Sequence, residues 1–145
     1  MFVKEVMTSS PICCKPGDSL ARVAQMMAEH DCGVVPVVAS GRLTGIVTDR
    51  DIACRAIAKG KTPADVPVSE VMSQPVITVG ANEDVQVAID RMKEKQVRRL
   101  PVLDEAGKIA GIIAPSDLAP TFASMDVADF LLAVSYWSRK PHLAA

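Results

Sequence analysis

Val34-Val35-Pro36-Val37-Val38 leads through Ser40-Gly41 into Leu43-Thr44-Gly45-Ile46-Val47-Thr48, and Asp49-Arg50-Asp51 follows. An apolar run, a turn and a second apolar run read as two strands joined by a tight connection. The polar exit at Asp49 reads as the start of a helix. The same order returns later in the chain: Leu100-Pro101-Val102-Leu103, then Glu105-Ala106-Gly107, then Ile109-Ala110-Gly111-Ile112-Ile113-Ala114, with a second helix start near Pro115. Pro36-Val37 recurs as Pro101-Val102 at an offset of 65, and Gly45-Ile46 and Asp51 recur as Gly111-Ile112 and Asp117 at 66. The Pro inside each first strand favours an edge or strand-end position, because it has no N–H to give to a ladder.

The repetition extends outward from this stretch. Val6-Met7 recurs as Val71-Met72, Ile12 as Ile77, Met27 as Met92 and Glu29 as Glu94. Leu20, Val23, Ala24 and Met27 sit on one face of a helix, and Val85, Ala88, Ile89 and Met92 repeat that face. Asp18-Ser19 and Glu83-Asp84 supply capping and dipole-favouring residues at the two helix starts. A short β-rich stretch precedes each helix, at Pro11–Cys14 and Val76–Val79. The unit is β-α-β-β-α, occurring twice, and the fold class is α+β with α/β-type connections. The expected division is residues 1–60 for the first repeat, 61–69 for a polar, Pro-punctuated linker, 70–122 for the second repeat and 123–145 for a helical tail. Each half is small for a core of its own, so the halves are expected to pack on each other. In the tail, Asp126 is expected to cap a helix to about Ser138 bearing Val127, Phe130, Leu131, Val134 and Trp137. An apolar stripe of this kind packs on its own domain or on a second copy, or docks another protein.

Composition narrows the function classes. The 145 residues are 49% hydrophobic and 23% charged, the balance of one soluble domain with an aliphatic core. With 16 basic and 17 acidic residues there is no basic excess of the kind a nucleic-acid binder carries. No apolar run is long enough to span a bilayer, and the N-terminus lacks the apolar core of a signal peptide, so a cytoplasmic protein is expected. Cys13, Cys14, Cys32 and Cys54 show no C-x-x-C pair and no zinc spacing with His30 or His142; free thiols and no metal site are expected. No Walker-type loop, H-E-x-x-H or G-x-S-x-G occurs, and no catalytic residue is assigned. The chain is not expected to be an enzyme.

Two stretches carry binding chemistry. Gly45-Ile46-Val47-Thr48-Asp49-Arg50-Asp51 runs off a strand onto a helix, where free N–H groups suit phosphate and a carboxylate can accept from ribose hydroxyls. Thr-x-x-Asp is equally a near capping box that serves the helix start alone, and the motif by itself leaves both readings open. Val97-Arg98-Arg99-Leu100 places two guanidinium groups side by side; these bind phosphate oxygens with a planar fork and hold their charge at any relevant pH. The alternative is a solvated basic edge, with Arg91, Lys93 and Lys95 adding to the positive charge.

The order of these elements, met twice, resembles a tandem pair of cystathionine-β-synthase (CBS) domains, a Bateman module. The likeness rests on the Val6-Met7-Thr8 and Val71-Met72-Ser73 openings, the helix, the Val-Pro-Val or Leu-Pro-Val strand and the Gly-aliphatic-aliphatic-x-x-x-Asp motif. It implies two repeats about a pseudo-twofold axis, a regulatory role, and an adenosine-type ligand: AMP, ADP, ATP or S-adenosylmethionine. It also implies a homodimer and a separate regulated protein, while the charge balance and the lack of a spanning run speak against a nucleic-acid or membrane partner. By match, one cleft holds Ile46, Thr48, Arg50 and Asp51 with Ile77, Arg98 and Arg99. The other holds Ile112, Ala114, Ser116 and Asp117 with Ile12, Gly33 and Val34. In that second, weaker cleft Ala114 replaces the hydroxyl and Gly33-Val34 replaces the basic pair. One phosphorylated nucleotide per chain is expected, in the cleft of Asp51. A ligand-free structural or interaction module is the alternative.

Overall fold

The computed structural model describes residues 1–121 and 126–135. In chain order the elements are α1 (Val3–Val6), β1 (Thr8–Ser9), α2 (Leu20–Glu29), β2 (Val34–Ala39), β3 (Arg42–Thr48), α3 (Asp49–Arg55), β4 (Val79–Gly80), α4 (Val85–Lys95), β5 (Leu100–Leu103), β6 (Ile109–Ile113), α5 (Pro115–Leu118) and α6 (Asp126–Ser135). The β-α-β-β-α order is present in both repeats, with the leading strand reduced. Pro11–Cys14 supplies only a parallel bridge from Cys14 to Val37, and Val76–Val79 supplies only Val79, which with Gly80 forms β4.

Two compact units form, and they do not coincide with the repeats. Ser10–Val76 makes up nearly all of one, which we call the Asp51 unit; Met1–Ser9, Ile77–Ala106 and the chain from Ala110 make up the other, the Asp117 unit. The opening segments are exchanged. Thr8 and Ser9 pair with Ile112 and Gly111 of the second repeat. Ser73, at the opening of the second repeat, bridges Ile46 of the first with hydrogen bonds of 3.1 and 2.8 Å. Val3 is fully buried with Val85, Met92 and Ile113, whereas Val68 and Val71 are buried with Leu20, Val23 and Val47. Glycine makes the exchange sterically possible: a Cβ on Gly45 would overlap the Met72 sulfur, and one on Gly111 would lie 2.5 Å from the Met7 sulfur and 2.8 Å from the Thr8 carbonyl oxygen.

Each unit has its own aliphatic core. The helix starts use the expected caps: Ser19 Oγ accepts from the Arg22 N–H at 3.1 Å, and the Asp84 carboxylate accepts from the Gln86 N–H at 2.9 Å. In the Asp51 unit β2 pairs antiparallel with β3. There the Pro36 carbonyl accepts from Cys14 N–H, so the missing proline donor falls on a side served by one isolated bridge. Pro101 takes the strand-end alternative rather than the edge one. Its strand lies inside a sheet of order β1-β6-β5-β4, and Pro101 is tolerated because β4 pairs only with Val102 and Leu103.

The stretch between the repeats is tied down at its end. Leu20 N–H donates to Val66 O and Val68 N–H to Asp18 O, and Val66 and Val68 are buried. The tail helix runs over Asp126–Ser135, with Phe130 and Val134 in the Asp117 unit's core. Leu131 belongs to the stripe read from sequence, yet it is exposed with Leu132, whereas Phe130 and Val134 join the core that Ala88, Ile89 and Met92 of α4 share. Trp137 and Ser138 lie outside the described residues.

Candidate functional site

The expected site residues divide between the units. Ile12, Gly33, Val34, Ile46, Thr48, Arg50 and Asp51 belong to the Asp51 unit; Ile77, Arg98, Arg99, Ile112, Ala114, Ser116 and Asp117 belong to the Asp117 unit. Within the Asp51 unit the β2–β3 ladder sets Val34 opposite Thr48, and Asp49 N–H donates to Gly33 O at 3.0 Å. This brings Gly33-Val34 to the β3–α3 junction. Within the Asp117 unit, Arg98-Arg99 immediately precede β5 and Ala114 immediately follows the neighbouring β6. Ile12 and Ile77 are half-buried against the cores of their own units.

The β3–α3 junction is a reciprocal cap. Thr48 Oγ1 accepts from Asp51 N–H at 3.1 Å, and Asp51 Oδ2 accepts from Thr48 N–H at 3.0 Å. The Asp51 side chain is only 13% exposed, and its Oδ1 lies 3.6 Å from Arg55 Nε. Arg55 in turn donates to the Val71 carbonyl at 3.0 Å, so Asp51 and Arg55 together fasten the exchanged opening segment. The capping reading of Thr-x-x-Asp is therefore realised. The matching junction in the other unit keeps half of it: Asp117 Oδ2 accepts from Ala114 N–H at 2.8 Å, while Asp117 N–H turns to the Ala114 carbonyl at 3.0 Å.

The two junctions differ most in charge. A Cβ on Gly33 would meet the Asp49 carboxylate at 2.9 Å, so a negative group occupies the space beside Gly33. The residue in the place of Asp49 in the other repeat is Pro115, and those in the place of Gly33-Val34 are Arg98-Arg99. Both arginines are exposed. Arg98 Nε lies 3.5 Å from Val134 O, and Arg99 donates to Arg98 O at 3.0 Å. Among the described residues neither forms an ion pair with a carboxylate. The wider basic cluster read from sequence is smaller than expected. Arg91 donates to the Glu83 carboxylate at 2.8 and 2.9 Å and to Thr78 O at 2.8 Å, and Lys95 pairs with Glu94. The Gly80 N–H and then Arg91 hold the Glu83 carboxyl below its ordinary range. Arg91 thus braces the chain between Thr78 and Glu83.

Burial raises the Cys13 thiol, and burial followed by the negative charges of Asp18 and Cys13 pushes Cys14 up to about 12, so both are protonated near neutrality. These two residues line an open, mainly apolar depression of about 460 Å³ with Lys15, Val38 and Gly41; it contains none of the expected site residues. Among the described residues no three His, Cys, Asp or Glu side chains cluster as metal ligands, and no helix is long and apolar enough to cross a membrane.

The CBS domain family model matches residues 3–56 and 68–123. This chain is a member of the CBS domain family. Among its relatives, the CBS domain-containing protein YhcV of Bacillus subtilis is 39% identical over 117 residues, covering 81% of this chain and 82% of that one. The crystal structure of Hypoxic Response Protein I with two coordinated zinc ions matches with a TM-score of 0.77 and 32% identity, over 85% of this chain and 100% of that one. The CBS domain pair of protein MJ0100, in complex with 5′-methylthioadenosine and S-adenosyl-L-methionine, matches with a TM-score of 0.75 and 28% identity, over 84% of this chain and 95% of that one.

Proposed function

We propose that this CBS pair is a regulatory module that binds an adenosine-type ligand and signals to a separate protein. The observation that carries the reading is the exposed Arg98-Arg99 pair, unopposed by a described carboxylate, at the head of β5. Two adjacent guanidinium groups suit a phosphate better than they suit any fold requirement, since neither reaches the core. Support comes also from the MJ0100 pair, whose two ligands are both adenosine derivatives. The proposed contacts are Ile46, Thr48, Arg50 and Asp51 with Ile77, Arg98 and Arg99. AMP, ADP or ATP is the ligand class for this set. The set of Ile12, Gly33, Val34, Ile112, Ala114, Ser116 and Asp117 lacks an arginine pair and has Asp49 beside Gly33; it suits an uncharged adenosine derivative or S-adenosylmethionine. No catalytic step is proposed.

The test is a thermal shift with a panel of AMP, ADP, ATP, adenosine, 5′-methylthioadenosine and S-adenosylmethionine. A ligand held at 100 times its dissociation constant stabilises by about 2.7 kcal/mol, a clear rise in Tm. Calorimetry with AMP and 2′-deoxy-AMP then examines Asp51, whose replacement by Ala is expected to weaken AMP by about 1.5–3 kcal/mol, the worth of hydrogen bonds to a charged group. Equal binding of the ribo and deoxy forms refutes that role. The reciprocal cap favours a second reading, a module that uses Thr48 and Asp51 for folding alone; a flat response to the whole panel selects it. Under either reading we propose a twofold homodimer, the commonest assembly of identical chains, and sedimentation at 15.4 kDa refutes it.

A further inference from the structure

The tail helix and the arginine pair meet inside one unit. α6 is fastened by Phe130 and Val134, which are 1% and 2% exposed, while Leu131 and Leu132 face outward. Arg98 adds a third attachment: its Nε lies 3.5 Å from the carbonyl of Val134, in the last described turn of the helix. The contact is long, so it holds Arg98 weakly. A phosphate dianion offers a shorter, charge-assisted and bidentate alternative.

We propose that α6 and a phosphate-bearing ligand compete for Arg98, so that the tail helix reports the charge of the bound ligand. The proposal rests on the reading of Arg98 as a phosphate contact. AMP draws the guanidinium away from Val134 and loosens α6 around that residue. An uncharged adenosine ligand leaves Arg98 in place. Linkage makes the coupling reciprocal: the form in which the Arg98–Val134 contact is open binds AMP more tightly, by the factor by which AMP favours opening.

The experiment uses the full chain, with AMP and 5′-methylthioadenosine as the charged and uncharged probes. Hydrogen exchange at the amides of Leu132–Ser135 is expected to speed severalfold at saturating AMP and to stay unchanged with 5′-methylthioadenosine. Arg98→Ala is expected to speed the same amides without ligand, to remove their response to AMP, and to lower AMP affinity in calorimetry. Ala128→Gly, at an exposed position of α6, weakens the helix without touching the core. It is expected to tighten AMP about two- to fivefold, up to the full factor that one weakened helical residue allows. If Arg98→Ala lowers AMP affinity while exchange in α6 ignores AMP and Ala128→Gly leaves affinity unchanged, the competition is overturned and the phosphate contact stands. If Arg98→Ala leaves AMP affinity unchanged, or AMP does not bind, both are overturned.

Discussion

The junctions Thr48–Asp51 and Ala114–Asp117 start from nearly the same backbone: φ and ψ are −114° and 161° at Thr48, −127° and 165° at Ala114. Both carboxylates accept from the N–H of the residue three back. That shared bond belongs to the fold, since it caps a helix in each repeat. What is not shared is the hydroxyl of Thr48, the Arg55 brace, and the charge beside each junction: Asp49 near Gly33 in one unit, Arg98-Arg99 with Pro115 in the other. An aspartate at this place is therefore poor evidence for a ligand, because folding already accounts for it. The arginines are better evidence, because they are exposed and the one long contact from Arg98 to Val134 is all that either gives another element of the fold.

The largest effect that separates the repeats is expected from replacing Arg98 and Arg99 together by Ala. Loss of hydrogen bonds worth about 1.5–3 kcal/mol each should weaken AMP by at least about 100-fold in calorimetry, with the midpoint of urea unfolding little changed. Undiminished AMP binding breaks the comparison.

The next effect concerns the two glycines. Gly111→Ala meets the Thr8 backbone oxygen, which cannot move aside, and is expected to cost about 1–3 kcal/mol in urea unfolding. Gly45→Ala meets only the flexible Met72 side chain and should cost less. A reversed order would show that the exchanged segments are held alike in the two units.

A smaller difference is expected at the caps. Thr48→Ala removes a bond that Ala114 never makes and should cost about 0.5–2 kcal/mol by urea unfolding. A further difference shows only in alkali. Cys14, which bridges Val37, stands where Val79 pairs with Val102 in the other repeat. Its thiol keeps a proton up to about 12 in the folded chain, while an unfolded thiol loses it near its ordinary value, so stability falls as pH rises through that window. Cys14→Val, which installs its counterpart, should flatten this decline in unfolding curves taken between about pH 8 and pH 11.

Much of this was legible in the sequence because it is local. Caps at Ser19 and Asp84, the Thr-x-x-Asp box and the stripe through Phe130 and Val134 need only a few neighbouring residues. The exchange of openings was not legible. Val6-Met7 and Val71-Met72 look alike whichever unit they join, and an offset between repeats carries no information about which copy each contacts. Charge was misjudged for the same reason. Arg91 read as part of a basic cluster because its partners, Glu83 and Thr78, lie across a loop. Asp49 did not signal its approach to Gly33 because β2–β3 pairing creates it. The site residues themselves were read from the family likeness, and their ligand contacts stand as the proposal above.

The exchanged opening has a consequence for synthesis on the ribosome. Ser10–Val76 emerges as nearly one continuous stretch and can consolidate its core while translation proceeds. Thr8 and Ser9 leave the exit tunnel before it, yet their partners Ile112 and Gly111 appear roughly a hundred residues later, closing a long loop at an entropic cost. A segment made before the Asp51 unit is thus docked only after it. Val3, fully buried at the end, must wait unshielded in the interval, and an unfinished chain carries an apolar segment ahead of Ser10 for chaperones to meet.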